Sequence, residues 1–522
     1  MLIEGCLRNL VCASMRVRRV EPTRARFLAF RIREMRRLEI VVAVVLLPYV
    51  IYLLSPVQYG RAWFNIFPFV AAVLIIAHLK VEGYRWQMFP LYLMAIVFVV
   101  YDCTRWLWSF HVHYFVGVAA FLLDLAGVAL CTVLPVFQLP SPTGAFKVGT
   151  QIRHIIDEKR RDTFSDCADG VRELMIQIWY PVDSAEQGPV APYRDRKITK
   201  LRDAHFALVE THSILGATLS QSKERYPLLL YTPSWSGIRT ESTFQVEELA
   251  SHGYVVVGID HPYGSRITCF PDGRIARRKF VGDEDYSSQD AVERFVRAAD
   301  QQVRIRAQDA SFVLDTFEYL DANDPESLLT GRLDLARVGI FGFSLGGGTA
   351  AEACWLDRRF IAGLDMGGMI AGESAKHGTF VPFFFMFEGL YEAPPYTRET
   401  DLSNFDASKR RDVEFTWKQF GQMQKSLLEY GGYWMVIRGI KHRDLCDSPF
   451  FTPLRHGPTK PERIARIIGG YTLAFFNKHV KEIYQPLLDG PPLDIPEVRF
   501  QAWKRPGDNH ESTKPMNGQP EL

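Results

Sequence analysis

Cysteine is scarce and scattered: eight in 522 residues (Cys6, Cys12, Cys103, Cys131, Cys167, Cys269, Cys354 and Cys446), with no C-x-x-C pair. That spacing excludes a zinc ribbon and a dense disulfide framework, so buried free thiols are expected. An excess of one charge is also missing. The 61 Lys and Arg against 59 Asp and Glu leave a net +2, so nothing global favours a nucleic-acid partner. With 47% hydrophobic and 23% charged residues, the chain is not collagen-like, low-complexity or wholly disordered. At roughly 150 residues per domain the length suggests about three domains.

What is present is uneven. Residues 1–37 carry ten Arg against three Glu, a local +7, and everything after them sums to −5. Residues 38–138 are then strongly apolar, with four runs at 38–56, 66–79, 88–101 and 114–137. The first and fourth are long enough for a hydrocarbon core of about 30 Å. The middle two are shorter, but their aromatic flanks (Trp63, Phe64, Trp86, Trp106, Trp108) suit the headgroup level. A soluble bundle is disfavoured, because four such runs offer too little polar surface. We therefore expect about four transmembrane helices, with Lys80, Glu82 and Arg85 in the hairpin between the second and third. Asp124 is the one charge in the fourth run and costs about 3 kcal/mol at a helix centre.

The Arg cluster places the N-terminus in the cytoplasm, and an even number of spans returns the chain there. The expected location is thus integral to the plasma membrane, with the following domain on the cytoplasmic side; three spans would reverse it. The leader lacks the cleavage pattern of a signal peptide. Met35 opens MRRLEIVV, and a start there would make 1–34 an over-extended reading frame.

After a Pro/Gly/Ser linker, LPSPTGAFKVGT, strand and helix signals alternate. Residues 172–180 alternate like a half-buried strand, while 227–231, 254–259, 338–343, 360–364, 380–387 and 433–438 read as further strands. Helical stretches fall at 242–251, 291–320 and 347–355. This order predicts a mostly parallel sheet with helices on both faces. The segment beyond 482 is expected to be a polar, disordered tail. The division is therefore 1–37 leader, 38–138 membrane helices, 139–482 catalytic domain and 483–522 tail.

The sharpest motif is Gly342-Phe343-Ser344-Leu345-Gly346, inside RVGIFGFSLGGGTAAE. An apolar strand before it and a small-residue helix after it fit a nucleophile elbow, which lifts the Ser hydroxyl clear of the sheet. The helix aims its first N–H groups at a developing oxyanion. In this arrangement the acid and the His follow the Ser. Five His do so: His377, His442, His456, His479 and His510. His442 lies just past the strand YWMVIRG and is the expected base, with His456 its only rival. For the acid, Asp365 ends one strand and Glu388 the next; position alone leaves both open. His261 and Asp260 precede Ser344 and are expected to be structural. Cys446 has no elbow around it and is not expected to act as a nucleophile.

From Leu139 to about Val480 the chain resembles the platelet-activating-factor acetylhydrolase family of α/β-hydrolases. The matching stretches are VGTQIRHIIDEKR, RELMIQIWYP, PLLLYTPSWSGIRTESTFQVEELASHGYVVVGIDHPYGS, GFSLGGGTA, GLDMGG and KHRDLCD. It is closest to bacterial members with an N-terminal membrane region, often labelled dienelactone hydrolases. True dienelactone hydrolases carry a Cys nucleophile, so Ser344 argues against that label. The resemblance implies an α/β-hydrolase fold, Asp365 rather than Glu388 as the acid, and His442 as the base. It also implies backbone oxyanion donors at Leu345 and at Trp235. Mammalian-type members have His-Gly where this chain has Pro233-Ser234.

The expectation is a membrane-anchored serine esterase acting on phospholipid short-acyl or other lipophilic esters, with no metal and no cofactor. An acyltransferase using the same acyl-enzyme is the enzymatic alternative, and a membrane scaffold or sensor with a decayed hydrolase domain the non-enzymatic one. The apolar set in VPFFFMFEGLYE and the helix at 412–429 could line an acyl pocket, but core packing is favoured.

Overall fold

The computed structural model describes residues 15–19, 36–55, 61–104, 107, 110–165, 170–199, 201–279, 285–389, 403, 405–455, 457–491 and 494–506. Four apolar helices come first: α1 (Arg36–Leu54), α2 (Ile66–Val81), α3 (Phe89–Thr104) and α4 (Phe110–Val133). Three segments, Arg37–Leu54, Trp86–Thr104 and Val112–Val133, are long and apolar enough to cross a membrane, whereas α2 has only 16 residues. Their inward faces meet in a cluster around Leu46, Tyr49, Met94 and Phe98. Their outward faces expose Ile40, Ile51, Val73, Ile96, Phe115 and Leu125. Asp124 faces the bundle interior and is buried.

One end of this bundle is clasped by Arg85. Its guanidinium reaches both oxygens of Glu39 at 2.6 Å, the carbonyl of Cys131 at 3.2 Å and the carbonyl of Leu134. The start of α1 and the ends of α2 and α4 therefore lie together, because Arg85 follows α2 directly and Leu134 follows α4. The chain leaves the bundle at that same end. Phe137 then plugs into the core of the next domain against Tyr193, Phe206 and Phe451.

The second part is a mixed α/β fold around a large, mostly parallel sheet. Its strands are β1 (Met15–Arg19), β2 (Lys147–Arg161), β3 (Val171–Val182), β4 (Val190–Pro192), β5 (Glu210–Leu215), β6 (Tyr226–Thr232) and β7 (Val255–Asp260). A two-stranded ribbon, β8 (Ile267–Cys269) with β9 (Ile275–Arg277), stands apart. The rest are β10 (Leu333–Phe343), β11 (Phe360–Met366), β12 (Phe383–Glu388), β13 (Gly432–Ile437) and β14 (Val498–Trp503). The order is β14-β13-β12-β11-β10-β6-β7-β3-β2-β5-β4, with β1 pairing β2. From β13 to β7 all neighbours are parallel, and β14 and β3 run antiparallel to that block.

The helices covering this sheet are α5 (Thr243–Ser251), α6 (Gln289–Asn323), α7 (Leu345–Leu356), α8 (Ala407–Tyr430) and α9 (Pro461–His479). A strand covered on both faces has no polar side to keep, which is why β6 reads YPLLLYT and is buried throughout. Leu229 and Tyr231 pack on α5 and α9, whereas Leu228 and Leu230 pack with α6 and α7. Each such side chain contributes about 1.5–3 kcal/mol by burial. The Phe-rich strand β12 is likewise core, as its favoured reading had it.

One expectation is corrected. The segment after 482 is not a featureless tail, because Val498–Trp503 adds β14 to the sheet edge. Phe500 anchors it, stacked on Tyr433 at 5.5 Å and packed against Tyr471. Proline richness before it masked a six-residue strand whose partner is remote in sequence. The His456 and His510 alternatives lie outside the described residues.

Candidate active site

The site grows from the turn between β10 and α7. Ser344 takes φ 55 and ψ −126, a backbone that a side-chain-bearing residue rarely adopts and that costs about 1–3 kcal/mol. Two bonds fix it: the Ser344 N–H donates to Met366 O at 2.8 Å, and its carbonyl accepts from Gly347 N at 2.7 Å. The motif's glycines are demanded by crowding. A Cβ on Gly342 would sit 2.2 Å from Gly346 O, and one on Gly346 would sit 2.0 Å from Thr232 O. The loop after β6 thus lies directly on the first turn of α7, and brings Trp235 toward Leu345. The Leu345 amide belongs to the first turn of α7, where N–H groups have no acceptor inside the helix.

Asp365 sits beneath the same turn, fully buried at the end of β11. A Cβ on Gly347 would collide with its Oδ1 at 1.6 Å, so the run of glycines after the motif makes room for this carboxyl. Its Oδ1 accepts from Gly368 N at 2.7 Å, and its Oδ2 has no hydrogen-bond partner. Burial pushes the carboxyl well above the usual range, the Gly368 N–H opposes that, and the Glu388 charge adds to it.

His442 follows β13, opening a short 3-10 turn, His442–Leu445. Its ring lies 5.0 Å from that of Phe343, the residue before Ser344. Its Nδ1 is 3.2 Å from Glu388 Oε1, and the other Glu388 oxygen is buried without a partner. The two acids left open by sequence position therefore divide the surroundings: Glu388 holds the imidazole, and Asp365 lies under the serine turn. Gly367 leaves room for the imidazole, since its Cβ position is 3.0 Å from His442 Nδ1. The His442 loop is tied down by Asp447, which accepts from Thr243 N at 2.7 Å, Phe244 N at 3.2 Å and Tyr193 Oη at 2.9 Å.

The remaining candidates fall away on position. His479 is part of α9, hydrogen-bonded to Tyr433 Oη at 3.1 Å, and His377 is exposed on a short surface helix. His261 is buried, with Nδ1 2.8 Å from Asp309 Oδ2 and Nε2 3.1 Å from Thr232 Oγ1. Burial pushes its pKa down to about 4, so it stays neutral. Asp260 is equally internal, accepting from Arg239 N at 2.7 Å. The Cys446 thiol points at Arg443 O, 3.3 Å away, and burial pushes its pKa well up.

An aromatic wall stands beside the elbow. Trp235, Leu345, Met369 and Ala371 form one small apolar cluster. Trp235 also faces Phe295 at 6.2 Å, which in turn meets Tyr286 and Phe415. Phe415 comes from α8, a helix for which core packing was favoured over a part in an acyl pocket. Its sequence signal, an aromatic on an amphipathic helix, is the same as that of core.

Residues 132–391 match the family described as "Platelet-activating factor acetylhydrolase, isoform II". The chain belongs to a platelet-activating-factor-acetylhydrolase-like family. Relatives agree. A probable 1-alkyl-2-acetylglycerophosphocholine esterase of Arthroderma benhamiae is 26% identical over 405 residues, covering 70% of this chain and 94% of that protein. The platelet-activating factor acetylhydrolase of Canis lupus familiaris is 25% identical over 270 residues, covering 48% of this chain and 55% of that one. Among solved structures, a ferulic acid esterase from Streptomyces cinnamoneus superposes with a TM-score of 0.54 at 27% identity, over 70% of this chain and 99% of its own. This acetylhydrolase-like chain is a carboxylic ester hydrolase.

Proposed function

We propose that the protein is a serine esterase of the α/β-hydrolase fold, anchored by its N-terminal helices, that cleaves lipophilic esters with a short acyl group. The observation that carries this reading is Ser344 at φ 55, on a strand-to-helix turn packed against the loop that holds Trp235. Ser344 attacks the ester carbonyl while His442 takes its proton and later returns it to the leaving alcohol. Asp365, the acid implied by resemblance, orients the imidazole and stabilises its cation. A second reading gives that role to Glu388, and the 3.2 Å contact with His442 favours it. The Leu345 and Trp235 N–H groups hold the oxyanion, and water then releases the acid. No step calls for a metal or a cofactor.

The substrate class is argued from the wall and from the relatives. Trp235 and Met369 pack as an apolar wall on Leu345 beside the elbow, and we take this wall to suit a short acyl group. The fungal relative, a probable 1-alkyl-2-acetylglycerophosphocholine esterase, points the same way. With p-nitrophenyl esters, acetate or butyrate is expected to exceed decanoate in kcat/KM by about tenfold or more. A preference for decanoate would overturn the short-acyl assignment.

The helices α1 to α4 supply the anchor, as a unit at 38–138 before the catalytic domain at 139–482, which β14 extends to 503. The Arg85 clasp puts the start of α1 and the exit from α4 at one end of the bundle. That supports an even number of crossings, with the Arg-rich leader and the active site both cytoplasmic. The substrate then meets the enzyme at the inner leaflet. A phosphatase fused after Trp503 should be inactive in cells while a fluorescent protein there is bright; the opposite pair of signals would reverse the orientation.

A further inference from the structure

The loop between β6 and α5, which reads TPSWSG, is gripped from behind by one buried side chain. Arg306 is 1% exposed and lies in the middle of α6. Its Nη1 donates to Pro233 O and to Ser234 O, both at 3.0 Å, and its Nη2 donates to Trp235 O at 3.0 Å. Three successive carbonyls thus turn to the same guanidinium. Arg306 carries charge at neutral pH, since burial pushes its pKa down only to about 10.

The consequence is stereochemical. The peptide joining Ser234 to Trp235 is planar and trans, so its N–H points opposite its C=O. Holding Ser234 O on Arg306 therefore turns the Trp235 N–H away from α6. The loop itself rests on the first turn of α7, with Thr232 O 2.0 Å and Pro233 O 2.7 Å from the Gly346 Cβ position. On the other side of the loop Glu241 takes the Ser234 N–H at 2.8 Å and the Ser234 hydroxyl at 2.8 Å. The Ser234 amide is thereby removed from the cleft. The strand end beneath is fixed independently by the Thr232–His261–Asp309 chain, with Arg172 on Asp309 at 2.6 Å.

We propose that Arg306 is the positioning residue of the oxyanion hole, acting through the Ser234–Trp235 peptide and never touching substrate. The inference rests on the reading of Trp235 as an oxyanion donor and adds what aims that donor. A guanidinium suits the task because its planar fork offers several donors with fixed relative directions, which an ammonium does not.

The test uses the full chain in detergent, with p-nitrophenyl acetate as substrate and a trifluoromethyl ketone as a mimic of the tetrahedral adduct. Arg306→Gln is expected to lower kcat about 10²-fold, the scale of one oxyanion donor, with KM moved less than about threefold. Affinity for the ketone should fall by the same factor as kcat, which a loosened but otherwise intact fold would not produce. Trp235→Pro deletes the N–H itself. The double variant should be no worse than Trp235→Pro alone, because both changes remove one interaction. If Arg306→Gln does not fold, Arg306→Lys is read instead, with an expected loss of about tenfold because it can satisfy fewer carbonyls. A folded Arg306 variant with wild-type kcat and ketone affinity would overturn the proposal, as would losses that multiply in the double variant. Wild-type turnover by Trp235→Pro would remove the oxyanion reading, and the inference with it.

Discussion

Ser344→Ala should abolish covalent labelling by a fluorophosphonate and reduce ester turnover about 10⁵-fold or more, the order seen when a nucleophile acting as part of a unit is removed. The effect is expected to be this large because no neighbour can take over. Cys446 is buried, aimed at a backbone carbonyl and held as a thiol. Ser234 spends its hydroxyl on Glu241. The variant keeps a side chain at φ 55, so its backbone strain, and with it the melting temperature, should change little. Loss of activity with an unchanged melt then reports chemistry and not folding. A wild-type protein that the probe does not label would sink the enzyme mechanism proposed above. Equal labelling of wild type and variant would move the nucleophile elsewhere.

The elbow was legible in the sequence because its chemistry is local. Strand, turn and helix follow one another, and the glycines the turn needs are written beside the serine. The sheet strands were legible for the same reason, since a strand buried on both faces needs an unbroken apolar run such as PLLLY or YVVVGI. What was not legible depends on meetings between remote segments. β14 pairs with β13 across some sixty residues of helix and loop, and only Phe500 hints at it. Glu388 and His442 come from different strand ends, and nothing in either neighbourhood announces their contact. Arg306 is the instructive case. It continues the buried stripe Ala299, Val303, Ala310, Val313 and Phe317 along α6 at helical spacing. A charge in an apolar stripe must find partners or pay heavily for burial, so that misfit was the available signal. Arg304, two residues earlier, is exposed and ion-paired to Glu373, which shows why composition alone does not separate the two.

The second large effect falls on the acid, where resemblance and geometry pull apart. Asp365→Asn is expected to lower kcat about 10⁴-fold, the scale set by losing the carboxylate that orients a catalytic imidazole. Glu388→Gln should cost about tenfold, the lower end for removing one hydrogen bond to a charged group. The case against Asp365 is plain: His442 Nδ1 lies on Glu388, and burial disfavours an ionised Asp365. The case for it is that both carboxyls keep one buried oxygen without a partner. A buried acceptor left empty is costly unless some state of the cycle fills it. The imidazole is less confined than either acid, with 41% of its side chain exposed. The Asp365 assignment requires a turn about the His442 side-chain torsions that carries Nδ1 from Glu388 to Asp365. Charging the imidazole would reward that turn, since an imidazolium beside Asp365 favours the ionised form that burial opposes. On this account Glu388 parks the base in the resting enzyme and Asp365 holds it during acyl transfer. The two variants separate the accounts by kcat alone. A loss confined to Glu388→Gln would reverse the assignment and make the resting contact the working one.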